Sequence, residues 1–415
     1  MSAGPEGVRA AQTAVDDDPA RWMALAVVSA AMLLSLSAWM TATAVGPELQ
    51  ARWTLTGSQV GWLTTTVQLG FVVGTALAAV LNLADVVPAR RLFAASAALA
   101  ALANALLLVA PGYAAALGVR FATGAFLAGV YPPGMKMIST WFRSGRGLAI
   151  GTVVGALTVG KALPYLLKAI GGAGLTPVVA GASAAGLLGA LLVAVGYREG
   201  PFPFARRPFS WARVGRILRH RETMLATGGY LGHMWELYAM WTWVPVYLAV
   251  AAAETVPGRV VDYAAFGTIA AGGLGCVWGG LAADRIGRAR VVNLAMAASG
   301  TCCLLAGPVL SAPFTVAVLL SWVWGFFVVA DSAQFSALVT EVAPSDSVGT
   351  ALMLQTSMGF LLTMVTIQAV PALVEIVAWD WAFAGLALGP AAGIASIRRL
   401  SRSRSLPSAP SPPST

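Results

Sequence analysis

The sequence predicts an all-α polytopic membrane protein, with twelve transmembrane helices in two pseudo-symmetric six-helix bundles. Three observations carry that prediction. The 415 residues are 58% hydrophobic and only 10% charged, whereas a soluble domain carries about 25% charged residues. Mean hydropathy is +0.76. Twelve apolar runs are each long enough to cross a hydrocarbon core of about 30 Å as helix. The longest hydrophilic interruption, 198–222, holds seven arginines and parts those runs six from six.

The elements follow in order. Residues 1–21 form a polar leader with the acidic run Asp16–Asp18. The first run, 22–45, contains the cleavage-like Ala42-Thr43-Ala44 but exceeds a signal-peptide core of about 7–15 residues. Spans two to six are expected at 59–83, 92–110, 114–138, 148–168 and 175–197, completing a first bundle over 22–197. In span four, Tyr131-Pro132-Pro133-Gly134 predicts a kink, because proline removes a helix hydrogen bond and crowds the preceding turn. In span five, Gly147, Gly151, Gly155 and Gly160 permit close helix packing. Residues Gly155–Ala162 nearly spell a phosphate-binding loop. Ala162 stands where Ser or Thr is required and no strand precedes it, so no nucleotide is expected. The linker 198–222, with Pro201, Pro203 and Pro208, reads as a solvated segment drawn to anionic membrane lipids. Spans seven to twelve are expected at 223–250, 263–283, 291–310, 314–339, 350–370 and 381–397, within a second bundle over 223–400. The tail 401–415 is rich in Ser and Pro and reads as disordered.

Orientation comes from the basic residues. With the N-terminus inside, twenty of the 26 Lys and Arg fall on inner segments, while Arg52, Lys168 and Arg259 fall outside. Both termini are therefore expected in the cytoplasm, with the chain integral to the inner (plasma) membrane. The net charge of +9 does not point to nucleic acid, since the arginines are spread over short loops. Cys276, Cys302 and Cys303 lie in apolar runs without metal-ligand spacing, so neither metal nor disulfide framework is expected.

Ionisable residues at mid-membrane are costly and usually face a cavity or a partner. Arg120 in span four and Lys161 in span five lie at similar depth. Either could bind an anionic or polar solute or hold an internal acidic partner. Glu236 sits near the middle of span seven, with His233 one turn earlier on the same face. With Asp331 in span ten they are the proton-coupling candidates, since a histidine titrates near neutrality. Trp235 and Tyr238 flank Glu236 and are candidates to touch solute. Trp241 and Trp243 read as an interfacial aromatic belt. An intramembrane enzyme would need a metal cluster or a nucleophile–base pair, and neither is present. No enzymatic activity and no cofactor are expected.

The halves also repeat weakly. LNLADVVPARR (Leu81–Arg91) follows span two, and GLAADRIGRAR (Gly280–Arg290) follows span eight. Gly124 aligns with Gly325, and Gly147 with Gly349. Repeats at half-chain interval belong to transporters. The second loop resembles the Gly-x-x-x-Asp-Arg-x-Gly-Arg loop of the major facilitator superfamily, at Gly280, Asp284, Arg285, Gly287 and Arg288. The first loop keeps Asp85 and Arg90, but has Leu81, Val86, Pro88 and Ala89 at the other positions. Arg120-Phe-Ala-Thr-Gly124 is similar to the family's fourth-helix motif. The family's antiporter motif on span five is absent, as are the arginines that a nitrate carrier would hold in spans two and eight.

This resemblance implies a secondary active transporter that moves a small solute by alternating access. Proton coupling and an anionic or polar substrate are the favoured details. Lipophile efflux and uniport on the same fold remain open, and a transport-dead sensor or scaffold is the reading from another class. The two loops would gate the inner side. An aspartate at the end of its own helix faces that helix's negative pole, so it needs an arginine or a neighbouring helix N-terminus.

Overall fold

Helix follows helix along the described chain. The computed structural model describes residues 18–81, 83–142, 145–171, 174–202, 211–253 and 255–405. The leader up to residue 17, the linker at 203–210, the tail from 406 and the side chain of Asp85 lie outside that description. Among the described residues, nine helices are long and apolar enough to cross a membrane by length and composition. They supply spans two to six and eight to eleven. The other places are taken by Ala20–Leu36 (span one), Arg221–Ala252 (span seven) and Leu388–Ser405 (span twelve). Span one is short, span seven carries Glu236 and His233 among several tryptophans and tyrosines, and span twelve ends in arginines.

Some boundaries differ from expectation for physical reasons. Span one stops at Leu36 and resumes only as the short helix Thr41–Ala44. Span eleven runs from Val348 to Ala382, with a kink at Ala378 where φ is 54°. Span twelve continues to Ser405, so the first residues of the expected disordered tail are helical. Arg402 near that end suits the negative pole of the helix. The linker holds a short helix, Trp211–Arg219, whose Ile217 is buried and whose Arg216 pairs with Asp346 at 2.7 Å.

Within each bundle, glycines set the helix spacing. Span two begins with a capping box on Thr56 and Gln59, which satisfies two of its free backbone donors. It then lies so close to span four that a Cβ on Gly124 would strike the carbonyl of Val67. In the second bundle, a Cβ on Gly325 of span ten would strike the carbonyl of Thr268 in span eight. The interval between the two glycines equals that between Val67 and Thr268, so the sequence repeat is a repeat of structure.

The breaks in spans four and ten obey the same interval. Span four is Tyr113–Leu127, a turn, then Tyr131–Ser139, with the predicted prolines opening the second piece. Span ten is Phe314–Ala330 then Ser332–Val342, broken at Asp331. Pro132 and Pro133 explain the first break, since neither can donate to the preceding turn.

The bundles meet along spans five and eight, and along spans two and eleven. Gly155 and Gly273 bring spans five and eight nearly into backbone contact. On the face opposite the linker, Ser58 donates to Gln368 at 2.8 Å, and Gln368 donates to Thr65 at 3.3 Å. Deeper in, the Thr363 hydroxyl donates to Gln68. That far face is closed.

Candidate functional site

Span seven carries the site in ascending order from the linker side: His233, Glu236, Tyr238 and Trp241. At 1.5 Å rise per residue these side chains leave the helix within about 12 Å of one another along its axis. All are buried.

His233 and Glu236 were expected to act as a pair on one helix face, but the fold gives each its own partners. His233 Nδ1 stands 2.9 Å from Asp331 Oδ1, at ion-pair distance but without in-line hydrogen-bond geometry, and the two residues are 2% and 1% exposed. The His233 ring packs 5.3 Å from Phe335, and its Nε2 has no hydrogen-bond partner among the described residues. Glu236 is held by three donors: Trp324 Nε1 at 2.5 Å, Ser299 Oγ at 2.9 Å and Cys303 Sγ at 3.2 Å. Trp324 and Asp331 lie two turns apart on one face of span ten. They therefore meet the two span-seven residues separately. A hydrogen-bonded carboxylate among neutral donors is satisfied without a fixed counter-charge.

Lys161 occupies an aromatic box. Its ammonium lies 4.5 Å from the Trp39 ring centre, 4.8 Å from Tyr238 and 5.1 Å from Trp241, and it donates to the Tyr238 hydroxyl. Trp39 and Lys161 belong to the first bundle, Tyr238 and Trp241 to the second. The box opens on a cavity of about 60 Å³ whose wall includes Phe71, Tyr131, Thr158, Ser332 and Phe360. Trp241, expected in an interfacial belt, is thus a cavity residue. Trp243 is likewise buried, donating to the Ile367 carbonyl at 2.8 Å. Hydropathy gives depth in the membrane but not the direction a ring faces, so both rings differ from the belt expectation.

Two other expected solute contacts lie elsewhere. Arg120 does not line the cavity and has no acidic partner among the described residues. Its guanidinium donates to the carbonyl of Ala38 at 2.9 Å, to Asn104 Oδ1 at 3.0 Å and to the carbonyl of Trp39. It therefore ties the break in span one to spans three and four. A buried cation needs such acceptors. Trp235 turns toward span twelve and donates to the Gly385 carbonyl at 3.2 Å.

Of the loop residues, Gly280 packs against Gly147 at the start of span five, and the Asp284 carboxylate lies 3.4 Å from where a Cβ on Gly147 would stand. The acid thus sits at a neighbouring helix N-terminus, across the bundle boundary, where the dipole favours it. Gly287 ends span eight with φ at 89°, a conformation in which a side chain is strained. Arg288 donates to Glu341 at 2.6 Å and Gln334 at 3.0 Å. Arg285 is exposed. Arg90 donates to the Ala194 carbonyl at the end of span six.

Sequence reasoning missed several participants. Ser299, Cys303 and Trp324 around Glu236 carry no charge to mark them, and Trp39 lies in a stretch that reads as ordinary helix.

The Major Facilitator Superfamily profile matches residues 27–367. A solved structure of a bacterial homolog of the human lysosomal transporter Spinster, inward-facing and unoccupied, is similar with a TM-score of 0.65. The match covers 93% of this chain and 96% of that one at 15% identity, a likeness of fold. No curated protein matches the sequence.

Proposed function

Because the chain belongs to the Major Facilitator Superfamily, whose members carry small solutes across membranes, we propose that it is a proton-coupled secondary transporter working by alternating access. Membrane transport follows from the family. The observation that supports proton coupling is the placement of two protonatable stations, His233–Asp331 and Glu236, buried one turn apart on span seven. Both touch span ten, one of them at its break. Among the described residues, neither station is ion-paired to an arginine or lysine. Tyr238, two residues beyond Glu236, carries any tilt of span seven to the cavity between the bundles.

Alternation in this reading opens the far-face contacts of Ser58, Thr65 and Gln68 with span eleven while the Asp284–span five contact holds the linker face. Release of Asp284 reverses the bias. The arginine distribution supports a cytoplasmic linker face, with both termini on that side of an inner membrane. A cavity of about 60 Å³ favours a small solute over a drug-sized lipophile, which needs some 300 Å³ or more.

The test is a proteoliposome assay with an entrapped pH dye and an external panel of organic acids, amino acids and sugars. Wild type should move protons with at least one solute, and Glu236→Gln and Asp331→Asn should not. Solute entry without proton movement in the wild type would leave uniport, and no flux of any solute would leave a sensor.

A further inference from the structure

We infer that Lys161 is the receptor for the carboxylate of a small monocarboxylate, which displaces the Tyr238 hydroxyl from the ammonium as it binds. The inference rests on the transport reading above and names its substrate class.

Lys161 is 4% exposed, and among the described residues its one hydrogen-bond partner is a neutral phenol. Among the described residues no carboxylate lies within ion-pair distance of it. The other buried cations of the first bundle are answered by the protein. Arg120 has carbonyls and Asn104, and Lys168 has Glu48 at 2.9 Å. Three aromatic faces attract an ammonium, but they supply no counter-charge, and a buried charge without one is costly. The missing group is an anion from outside the chain.

The cavity narrows the class. Among the described residues Lys161 is the only charged one on its wall, so a monoanion is matched and a dianion would carry an unpaired charge. One water needs about 10–15 Å³ of such volume, so about 60 Å³ admits about four to six heavy atoms. Trp39, Phe71, Trp241 and Phe360 give the wall flat apolar faces, and Thr158, Ser332, Ser336 and Thr356 add neutral hydroxyls, a lining that suits a short hydroxy- or keto-acid better than a bare inorganic ion. Because Lys161 and Tyr238 come from different bundles, an anion taken between them bridges the two bundles at the cavity. Binding and closure are then the same event.

The experiment uses the purified full chain. Acetate, lactate and pyruvate are compared with nitrate, succinate and glycerol by thermal shift, followed by calorimetric titration. Lactate or pyruvate should raise the melting temperature, and succinate and glycerol should not. Lys161→Met should weaken binding by about tenfold or more, the loss of a charge-assisted hydrogen bond. Lys161→Arg should retain binding, and Tyr238→Phe should bind at least as tightly as wild type because the competing hydroxyl is gone. Equal binding by Lys161→Met, a response to nitrate alone, or lost binding in well-folded Tyr238→Phe would each overturn the proposal. If Lys161→Met does not fold, the Tyr238→Phe result still decides. Labelled lactate uptake into proteoliposomes separates the two readings. Lys161-dependent binding without flux would sustain the site and sink transport. Transport of another solute with no response to any monocarboxylate would sink the site and sustain transport.

Discussion

Replacing Arg120 by methionine keeps most of the side chain's length and removes its donors. Three buried acceptors then lose their partner: the carbonyls of Ala38 and Trp39, and Asn104 Oδ1. An orphaned buried acceptor costs about 1–3 kcal/mol, and part of that is offset because a charge is no longer buried. A net loss of about 3 kcal/mol is expected. For a cooperative unit of the size of one bundle, about 2–4 °C per kcal/mol gives a fall in melting temperature of about 6–12 °C. Arg120→Lys should fall nearly as far, because three donors at one point cannot span acceptors that the guanidinium fork reaches together. Detergent-purified protein, followed by size-exclusion after heating, measures this directly. A melting temperature within about 2 °C of wild type, together with lost solute response, would refute the structural role and return Arg120 to the solute.

Three further expectations follow from the same geometry. Gly124→Ala and Gly325→Ala should each destabilise by about 1–3 kcal/mol through forced separation of the packed helices, whereas Gly349→Ala, which faces open space, should be silent in the same thermal assay. Asp284→Asn removes a charge from the start of span five, worth about 0.3–1 kcal/mol. It should raise alkylation of a cysteine placed at Thr158, buried on the cavity wall, about two- to fivefold, and no increase would show that Asp284 does not hold the linker face. Lys161→Met should lose the melting-temperature response to lactate that Lys161→Arg keeps, and an unchanged response would place the anion elsewhere.

Much of the fold could be read before any coordinates. Apolar run length and the arginine-rich break are set by the membrane itself, so they survive in any single sequence. The Gly124–Gly325 repeat was visible because close backbone approach admits one residue type. What stayed hidden depends on rotation about a helix axis and on neighbours distant in sequence. His233 and Glu236 look like a pair along span seven, and only span ten, through Asp331 and Trp324, separates them. Arg120 and Lys161 have the same depth and charge, yet one is spent on carbonyls at the break of span one and the other faces a cavity. The break after Leu36, which creates Arg120's acceptors, has no proline or glycine to announce it.

The central claim is that protonation of Glu236 drives the solute cycle, and it is tested most directly by comparing net flux with exchange in Glu236→Gln. Proteoliposomes holding unlabelled solute would be given labelled solute, with and without a pH gradient. The account predicts that the variant loses uptake driven by the gradient but retains one-for-one exchange, because the cavity around Lys161 is untouched. Gradient-driven uptake equal to wild type in Glu236→Gln would contradict it and remove that carboxylate from the mechanism.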